Sequence, residues 1–237
     1  MTKLGINIDH VATVRNARGE GHPSVIEIAK IVKDSGADSI TVHLREDRRH
    51  IKDQDLKNLC NKKYLINMEM AANIKMMEIA IKNKPKFVCL VPEKRNEVTT
   101  EGGLNLNKNY NLIKKIVTKL NNKNIRTSLF IDPSIRNIML SKKIGAKCVE
   151  LHTGKISRLV KNNKNFSNEF LKIKKCSKFG IENNIEIHAG HGLDYKTTRL
   201  LTKISHITEY NIGHFIIGES IKIGISKVIK NFKKIIK

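Results

Sequence analysis

The segment LINMEMAANIKMMEIAIKNKPKFVCLV (residues 65–91) decides the fold, because it holds two strand patterns separated by one helix pattern. Residues 65–70 and 87–91 are short apolar runs, which are typical of buried strands. Residues 74–83 repeat apolar side chains at helical spacing and end just before Pro85. A strand, a helix and a second strand in this order predict a parallel pair joined by a right-handed crossover.

The same alternation extends toward both ends of the chain. Further strand patterns cover residues 4–9, 39–44, 127–131, 148–153, 185–189 and 210–213. Further helix patterns cover residues 24–35, 108–122, 134–144, 170–183, 196–204 and 220–236, and residues 155–167 are long enough for an extra helix or a lid. Eight strands alternating with helices predict an α/β protein, a single (β/α)8 TIM barrel with extra helices over residues 1–237. A doubly wound open sheet is the alternative, although no GxGxxG motif supports dinucleotide binding.

Composition limits the class of protein. A chain of 237 residues that is 40% hydrophobic is large enough for one domain with a substantial core. The sequence has no apolar run of about 18 residues and its first residues lack a secretory signal, so we expect no membrane partner and a cytoplasmic location. The four cysteines form no CxxC pair, and we expect buried, reduced thiols rather than a zinc site or a nucleophile.

The net charge of +23 raises the possibility of nucleic-acid binding. However, the lysines are spread along the whole chain, mostly on the polar faces of predicted helices, and the sequence contains no tryptophan. We therefore favour a solvated basic surface and expect no nucleic-acid partner, while nucleic-acid binding remains the alternative. A positive field would also attract small phosphorylated substrates.

Polar side chains crowd the ends of the predicted strands, where barrel enzymes build their active sites. Strand alternation places Glu69 on the face opposite Met68 and Met70. It likewise places His43 on the face opposite Val42 and Leu44. Glu150 lies in the sixth strand pattern, and His191 follows the seventh. Either residue type alone could be a structural partner, but two carboxylates and two histidines around one cavity supply several proton donors and acceptors.

Glycine-rich turns after the seventh and eighth strands predict phosphate sites. Gly190 and Gly192 flank His191, Gly213 and His214 come at the end of the eighth strand pattern, and Gly218 to Ser220 then open the last helix pattern. Glycines let backbone N–H groups approach an anion, and a helix N-terminus adds a favourable dipole. The basic residues 43–50 and Arg18 could hold a second phosphate. Because no HExxH or similar spacing is present and arginines are mixed with the histidines, we favour no metal, although a metal site stays possible.

Eight stretches of the sequence, spread over nearly the whole chain, carry a family resemblance. They are NIDHVATVRNARG (7–19), TVHLREDRRHI (41–51), NMEM (67–70), LVPEKRNEVTTEGGL (90–104), SLFID (128–132), ELHTG (150–154), AGHGL (189–193) and NIGH (211–214). Taken in order, they resemble the pyridoxine 5'-phosphate synthases. The resemblance implies condensation of 1-deoxy-D-xylulose 5-phosphate with 3-amino-2-oxopropyl phosphate, which closes a pyridine ring and releases inorganic phosphate and water. It also implies that no cofactor or metal is used and that the protein is a homo-octamer built from dimers.

The resemblance also implies roles for single residues. His43 resembles a general acid/base, Glu69 resembles a general base, and His191 resembles a later proton donor. Glu150 is similar to a group that stabilises developing positive charge. The implied aminoketone-phosphate site is Asn7, Arg18, Gly192, Gly213 and His214, and the implied deoxyxylulose-phosphate site is Asp9, His10, Arg45, His50 and Thr99.

Two positions depart from the family pattern, and one further enzyme class stays open. His188 stands where the family usually has Asn, and Glu219 follows Gly218 where a small or basic residue is more usual. An acidic group near a phosphate site would weaken anion binding unless it points away. A different phosphate-binding barrel enzyme, such as an isomerase or an aldolase, is the alternative, and Lys94 is then the obvious lysine for a Schiff base.

Overall fold

The eight strands of the protein pair side by side into a closed, parallel barrel in the order of the sequence. The computed structural model describes residues 1–62, 64–94, 97 and 102–237. The first and last strands close the barrel through the pair Ile6 and Ile212. The strands are β1 (Lys3–Asn7), β2 (Ser39–His43), β3 (Ile66–Ala71), β4 (Phe87–Val91), β5 (Arg126–Ile131), β6 (Cys148–His152), β7 (Glu186–Gly190) and β8 (Glu209–Ile212).

Helices surround this barrel, and several begin with the capping residue that their sequence supplies. The side chains of Ser24, Asn73 and Asp194 each accept a hydrogen bond from a backbone N–H in the first turn of the following helix. The helices are α1 (Asp9–Arg18), α2 (Val25–Asp34), α3 (Asp53–Asn61), α4 (Ile74–Asn83), α5 (Tyr110–Asn121), α6 (Ile135–Ile144), α7 (Gly154–Lys161), α8 (Ser167–Glu182), α9 (Tyr195–Leu201), α10 (His214–Ile223) and α11 (Ile225–Ile236).

The predicted barrel is confirmed, and the strand at 87–91 and the helix at 74–83 have the predicted bounds. The prediction omitted α1 and α3. Only Leu56 and Leu59 are buried on α3, and α1 buries Asp9 and Arg15 beside two apolar residues, so neither has a clear apolar stripe. Asp9 was predicted to end the first strand and instead begins α1.

The predicted helix at 220–236 is two helices. Gly224 separates α10 from α11 with φ 79° and ψ 143°, a conformation outside the helical region that favours glycine. The long segment after β6 contains α7, which is the extra helix expected within residues 155–167. Within the described residues, no helix is both long and apolar enough to cross a membrane.

Strand alternation divides the barrel into an aliphatic outer face and a polar interior. Ile6, Val42 and Met68 are fully buried in the core beneath the helices. The residues between them on the same strands point inward, and this interior carries buried polar groups. Buried polar side chains of the barrel strands include Ser39, Thr41, Asn67, Ser128, Glu150, His188, Glu209 and Asn211. Because apolar contacts on the outer face stabilise the strands, polar and titratable side chains can occupy the interior.

Candidate active site

A cavity of about 740 Å³ lies at the carboxyl ends of the strands. This is the end at which barrel enzymes carry their active sites. Its size suits one or two small ligands. The residues that line it are Asn7, Asp9, His10, His43, Glu69, Val91, Pro92, Gly102, Phe130, Glu150, His152, Gly154, Ser157, Arg158, Lys161, His191, Gly192, Asn211, Gly213 and His214.

His43, at the end of β2, lies between two carboxylates. Its Nε2 is 2.9 Å from Oε1 of Glu93, and its Nδ1 is 3.8 Å from Oε2 of Glu69. Burial would raise the pKa of Glu93, but hydrogen bonds from His43 and from the backbone N–H of Glu46 outweigh burial and lower that pKa. Glu93 is therefore the ionised partner that orients the imidazole, which leaves Nδ1 directed toward Glu69.

Asp9 occupies the first turn of α1 and ties β1 to β2. Its Oδ1 accepts a hydrogen bond from the backbone N–H of His43 at 2.8 Å, and its Oδ2 accepts one from Nδ2 of Asn7 at 2.8 Å. Burial raises the pKa of Asp9 to about 6, against the opposing effect of these hydrogen bonds. His50 lies close by, with Nδ1 4.0 Å from Oδ1 of Asp9.

Glu69 and Glu150 are acids that bind protons unusually tightly. Burial raises the pKa of Glu69 well above its ordinary value, and the charges of Glu150 and Asp9 add to that effect. Burial likewise raises the pKa of Glu150 to about 7, although a hydrogen bond from Asn211 at 2.8 Å opposes the rise. A Cβ atom on Gly190 would lie 1.9 Å from Oε1 of Glu150, so this position needs glycine.

His191 sits in a tight turn that follows β7. Both His191 and Gly192 have φ of 77°, and Oγ1 of Thr153 donates to the carbonyl oxygens of Gly190 and His191 at 2.7 and 2.8 Å. The left-handed conformation of a histidine is uncommon and is held here by these bonds. Burial, together with the neighbouring His152 and Arg158, lowers the pKa of His191, which favours the neutral form of its ring.

The ends of β8 and β1 form the neighbouring part of the cavity lining. A Cβ atom on Gly213 would lie 2.9 Å from Cβ of Asn7, so glycine allows the two strand ends to meet. His214 begins α10, and its ring centroid is 5.0 Å from that of His10. Burial and His214 lower the pKa of His10. The N-terminus of α10 thus faces the cavity with the polarity that favours an anion.

Residues 4–237 match the family described as Pyridoxal phosphate biosynthesis protein PdxJ. The chain belongs to this family. A pyridoxine 5'-phosphate synthase from Pelagibacter ubique is 61% identical over 236 residues, which cover 99% of each chain. Another, from Ehrlichia chaffeensis, is 47% identical over 234 residues, which cover 98% of this chain and 96% of the relative.

The structure of N-(5'-phosphoribosyl)anthranilate isomerase from Pyrococcus furiosus has a TM-score of 0.62 at 12% identity, covering 100% of this chain and 98% of the isomerase. That likeness concerns the fold alone.

Most of the residues that the family resemblance implied lie together at the cavity, but three of the described ones do not line it. Arg45 and His50 lie beside it: Nε of Arg45 donates to Oδ1 of Asp47 at 3.3 Å, and the ring of His50 is 6.0 Å from that of His43. Arg18 is separate, since its side chain is 79% exposed and pairs with Glu20. Thr99 lies outside the described residues.

Several cavity residues of this family member were not predicted as site residues. His152 was visible at a strand end, and the alternation that turns Glu150 inward also turns His152 inward. Glu93, which contacts His43 without lining the cavity, was visible just after the fourth strand. Arg158 and Lys161 had no such signal, because they lie on α7 and their direction depends on how that helix packs.

The two departures from the family pattern occupy different places. Glu219 is not one of the described residues that line the cavity, and its carboxylate is 3.3 Å from Nζ of Lys222. His188 is the register partner of Glu150 and lies deeper in the barrel, with Nε2 3.0 Å from Oε1 of Glu186. Neither side chain therefore enters the proposed phosphate seats.

One group of side chains has the composition of a metal site. Asp9, His43 and Glu69 each offer one ligand atom, and these atoms lie within 4.8 Å of one another. Two carboxylates and an imidazole are ligands that suit several divalent ions. The predicted absence of a metal remains a prediction, and metal removal is its test.

Proposed function

We propose that this protein is a pyridoxine 5'-phosphate synthase that joins 1-deoxy-D-xylulose 5-phosphate to 3-amino-2-oxopropyl phosphate. The products are pyridoxine 5'-phosphate, inorganic phosphate and water. The observation that carries the proposal is that His43, Glu69, Glu150 and His191 line one cavity with glycine-lined anion seats. The names of its 61% and 47% identical relatives support the same activity.

Proton transfer between His43 and Glu69 drives the first half of the proposed reaction. Attack of the amine on the ketone produces a carbinolamine, which must lose a proton from nitrogen and gain one on the leaving hydroxyl. Glu69 has a raised pKa and is a stronger base than an exposed carboxylate. Nδ1 of His43 is 3.8 Å away and supplies the second proton carrier. Positioned groups of this kind contribute about 10²–10⁴-fold to the rate.

Glu150 and His191 serve the later steps of the proposal. The buried Glu150 carboxylate stabilises positive charge on the imine nitrogen, because few water molecules compete in a closed site. His191 acts as the later proton donor once its ring has taken up a proton released in an earlier step. Its depressed pKa then makes the imidazolium a stronger acid than a free one, which suits proton transfer to a leaving oxygen.

Two phosphate seats hold the substrates together. The glycines at 192 and 213 and the N-terminus of α10 receive the aminoketone phosphate. Asp9, His10, Arg45 and His50 mark the side for the second substrate. Holding two reactants in one orientation can lower the barrier by up to about 7–11 kcal/mol in the best cases.

The direct test is product formation by purified protein, read by mass spectrometry, with and without EDTA. We expect pyridoxine 5'-phosphate in both samples, and His43→Ala should reduce turnover by about 10²-fold or more because Glu69 loses its proton partner. His206→Ala, a histidine outside the cavity, is the control and should retain the wild-type rate. Absence of product from wild-type protein would refute the proposal, and loss of product with EDTA alone would indicate a metal at Asp9, His43 and Glu69.

An aldolase would need a lysine that forms a Schiff base. Lys94 does not serve, since its side chain is 62% exposed and its Nζ is 3.5 Å from Oε2 of Glu46. Borohydride treatment with a ketose phosphate should therefore leave no lysine adduct. A stable adduct would favour the aldolase.

We also propose a homo-octamer built from dimers and a cytoplasmic location. Large apolar side chains are exposed at Val14 (55%), Leu65 (50%), Leu171 (50%) and Ile221 (85%), which suits subunit contacts. Four cysteines without disulfides suit a reducing compartment. Light scattering should give eight times the chain mass of 26.9 kDa, and a smaller particle would contradict the octamer.

A further inference from the structure

Helix α7 covers one side of the cavity with side chains that have no assigned role. Ser157, Arg158 and Lys161 all line the cavity. The helix is anchored from the residue before it, because the backbone N–H and Oγ1 of Thr153 both donate to the carbonyl oxygen of Gly190, at 2.9 and 2.7 Å. These three side chains are therefore fixed relative to the turn that follows β7.

Ser157 has a hydroxyl without a partner. The residue is 2% exposed, and Oγ has no hydrogen-bond partner among the described residues. Buried hydroxyl groups are normally hydrogen-bonded, because an unpaired one loses its contacts with water and gains nothing. A cavity-lining donor in this state is suited to an acceptor that arrives with a ligand.

Arg158 and Lys161 bring two positive charges to the side of the cavity that α7 covers. In the described part of the chain, neither has a carboxylate oxygen within 4.0 Å, whereas Lys155 on the same helix lies 3.1 Å from Glu169. Arg158 is near enough to His191 for its charge to affect that imidazole. The cations at the cavity are thus available to a ligand, and the cation beside Glu169 is not.

The N-terminal half of α7 packs against the turn formed by His191 and Gly192. A Cβ atom on Gly192 would lie 3.2 Å from Cβ of Ser157 and 3.4 Å from Cα of Gly154. The N-terminus of α7 therefore borders the predicted phosphate seat at Gly192, with the dipole direction that favours an anion.

We propose that Ser157, Arg158 and Lys161 form a phosphate-binding wall that recognises the phosphate monoester of the substrate seated at Gly192. The identity of that substrate, 3-amino-2-oxopropyl phosphate, rests on the proposed function. The ligand class does not, because a hydroxyl donor, a guanidinium, an ammonium and a helix N-terminus together suit a phosphate dianion.

Steady-state kinetics of single variants tests this wall. Arg158→Gln and Lys161→Gln should each raise KM for the aminoketone phosphate about tenfold, since each removes one charge-assisted contact. KM for the deoxyxylulose phosphate should stay within about twofold, because its proposed seat is formed by other residues, Asp9, His10, Arg45 and His50. Lys164→Gln, an exposed lysine just beyond α7, removes the same charge and should behave as wild type. Arg158→Lys should recover part of the loss, since it restores a cation.

Binding of inorganic phosphate, measured by isothermal titration calorimetry, separates this proposal from the proposed function. Arg158→Gln and Lys161→Gln should weaken phosphate binding about tenfold relative to Lys164→Gln. If wild-type protein makes no pyridoxine 5'-phosphate but this difference persists, the function fails and the wall stands. If product forms while both cavity variants match Lys164→Gln in KM and in phosphate binding, the wall is wrong.

Discussion

Glutamates at the two ends of the barrel interior have pKa values shifted in opposite directions. We call the amino-terminal ends of the strands the floor and the carboxyl ends the mouth. At the floor, Glu186 accepts a hydrogen bond from His188 at 3.0 Å and pairs with the guanidinium of Arg126. These hydrogen bonds, first from His188 and then from Arg126, lower the pKa of Glu186 to about 2. At the mouth, burial raises the pKa of Glu69 well above its ordinary value and that of Glu150 to about 7.

The difference shows that partners, rather than depth alone, decide what a buried carboxyl can do. A carboxylate with two cationic donors stays ionised and contributes to folding. A carboxyl whose pKa is raised by burial and by neighbouring negative charge can exchange a proton, but its ionisation reduces the free energy of unfolding. We therefore expect Glu186 at the floor to contribute to stability, and Glu69 and Glu150 at the mouth to serve proton transfer.

The largest expected effect is on turnover at the mouth. Glu69→Gln should reduce the rate by about 10²–10⁴-fold, because an amide cannot accept the proton. The free energy of unfolding at neutral pH should stay the same or rise, since a buried acid with a raised pKa is replaced by a neutral group. Product assays and urea unfolding measure the two. Glu78→Gln, on the exposed face of α4, is the control, and equal rates for both variants would remove Glu69 from the mechanism.

Next in size is the pH dependence of stability at Glu150. Because the pKa of Glu150 is raised to about 7 in the folded protein, the folded state holds its proton more tightly than the unfolded chain. That contribution to stability is complete below about pH 4 and is lost as the pH rises through about 7. Glu150→Gln lacks this loss. Urea unfolding should show the variant gaining about 2–4 kcal/mol relative to wild type between pH 4 and pH 8, and a constant difference would contradict it.

At the floor the expected effect is smaller and falls on stability. Arg126→Met leaves Glu186 without its guanidinium partner, and breaking a buried ion pair typically costs about 3–5 kcal/mol. The side chain of Arg126 is 26% exposed, so water compensates part of that cost and we expect about 1–3 kcal/mol. Turnover should change less than about threefold. Arg136→Met, at an exposed arginine of α6, is the matched control. A large loss of turnover without destabilisation in Arg126→Met would contradict a stabilising role for this ion pair.

The smallest expected effect concerns Glu219, the acidic departure near the predicted phosphate seat. Its carboxylate is 3.3 Å from Nζ of Lys222, and its side chain is not among the described cavity residues. Glu219→Gln should therefore leave KM for both substrates within about twofold of wild type, because its carboxylate pairs with Lys222 and it is not among the described residues that line the cavity. A tenfold fall in KM would show instead that this charge repels substrate at the mouth.

Local patterns predicted much of the fold and of the candidate site. Strand alternation and glycine-bounded turns predicted the barrel, and they turned His43, Glu69 and Glu150 toward one mouth. They missed α1 and α3, whose buried faces mix polar and apolar residues. Arg18, implied for a phosphate site, pairs with Glu20 on the described surface, and its role remains a prediction.

The sequence by itself determined which side chains face inward, because that depends only on a period of two along each strand. Only the tertiary structure decided which charges meet. Glu186 and Glu69 differ because closing the barrel places Arg126 of β5 beside Glu186, next to its same-strand partner His188, and places the acids Glu150 and Asp9 beside Glu69. The cations of α7 reach the cavity for the same reason: their position follows from how a helix packs on neighbouring strands, which local periodicity does not encode.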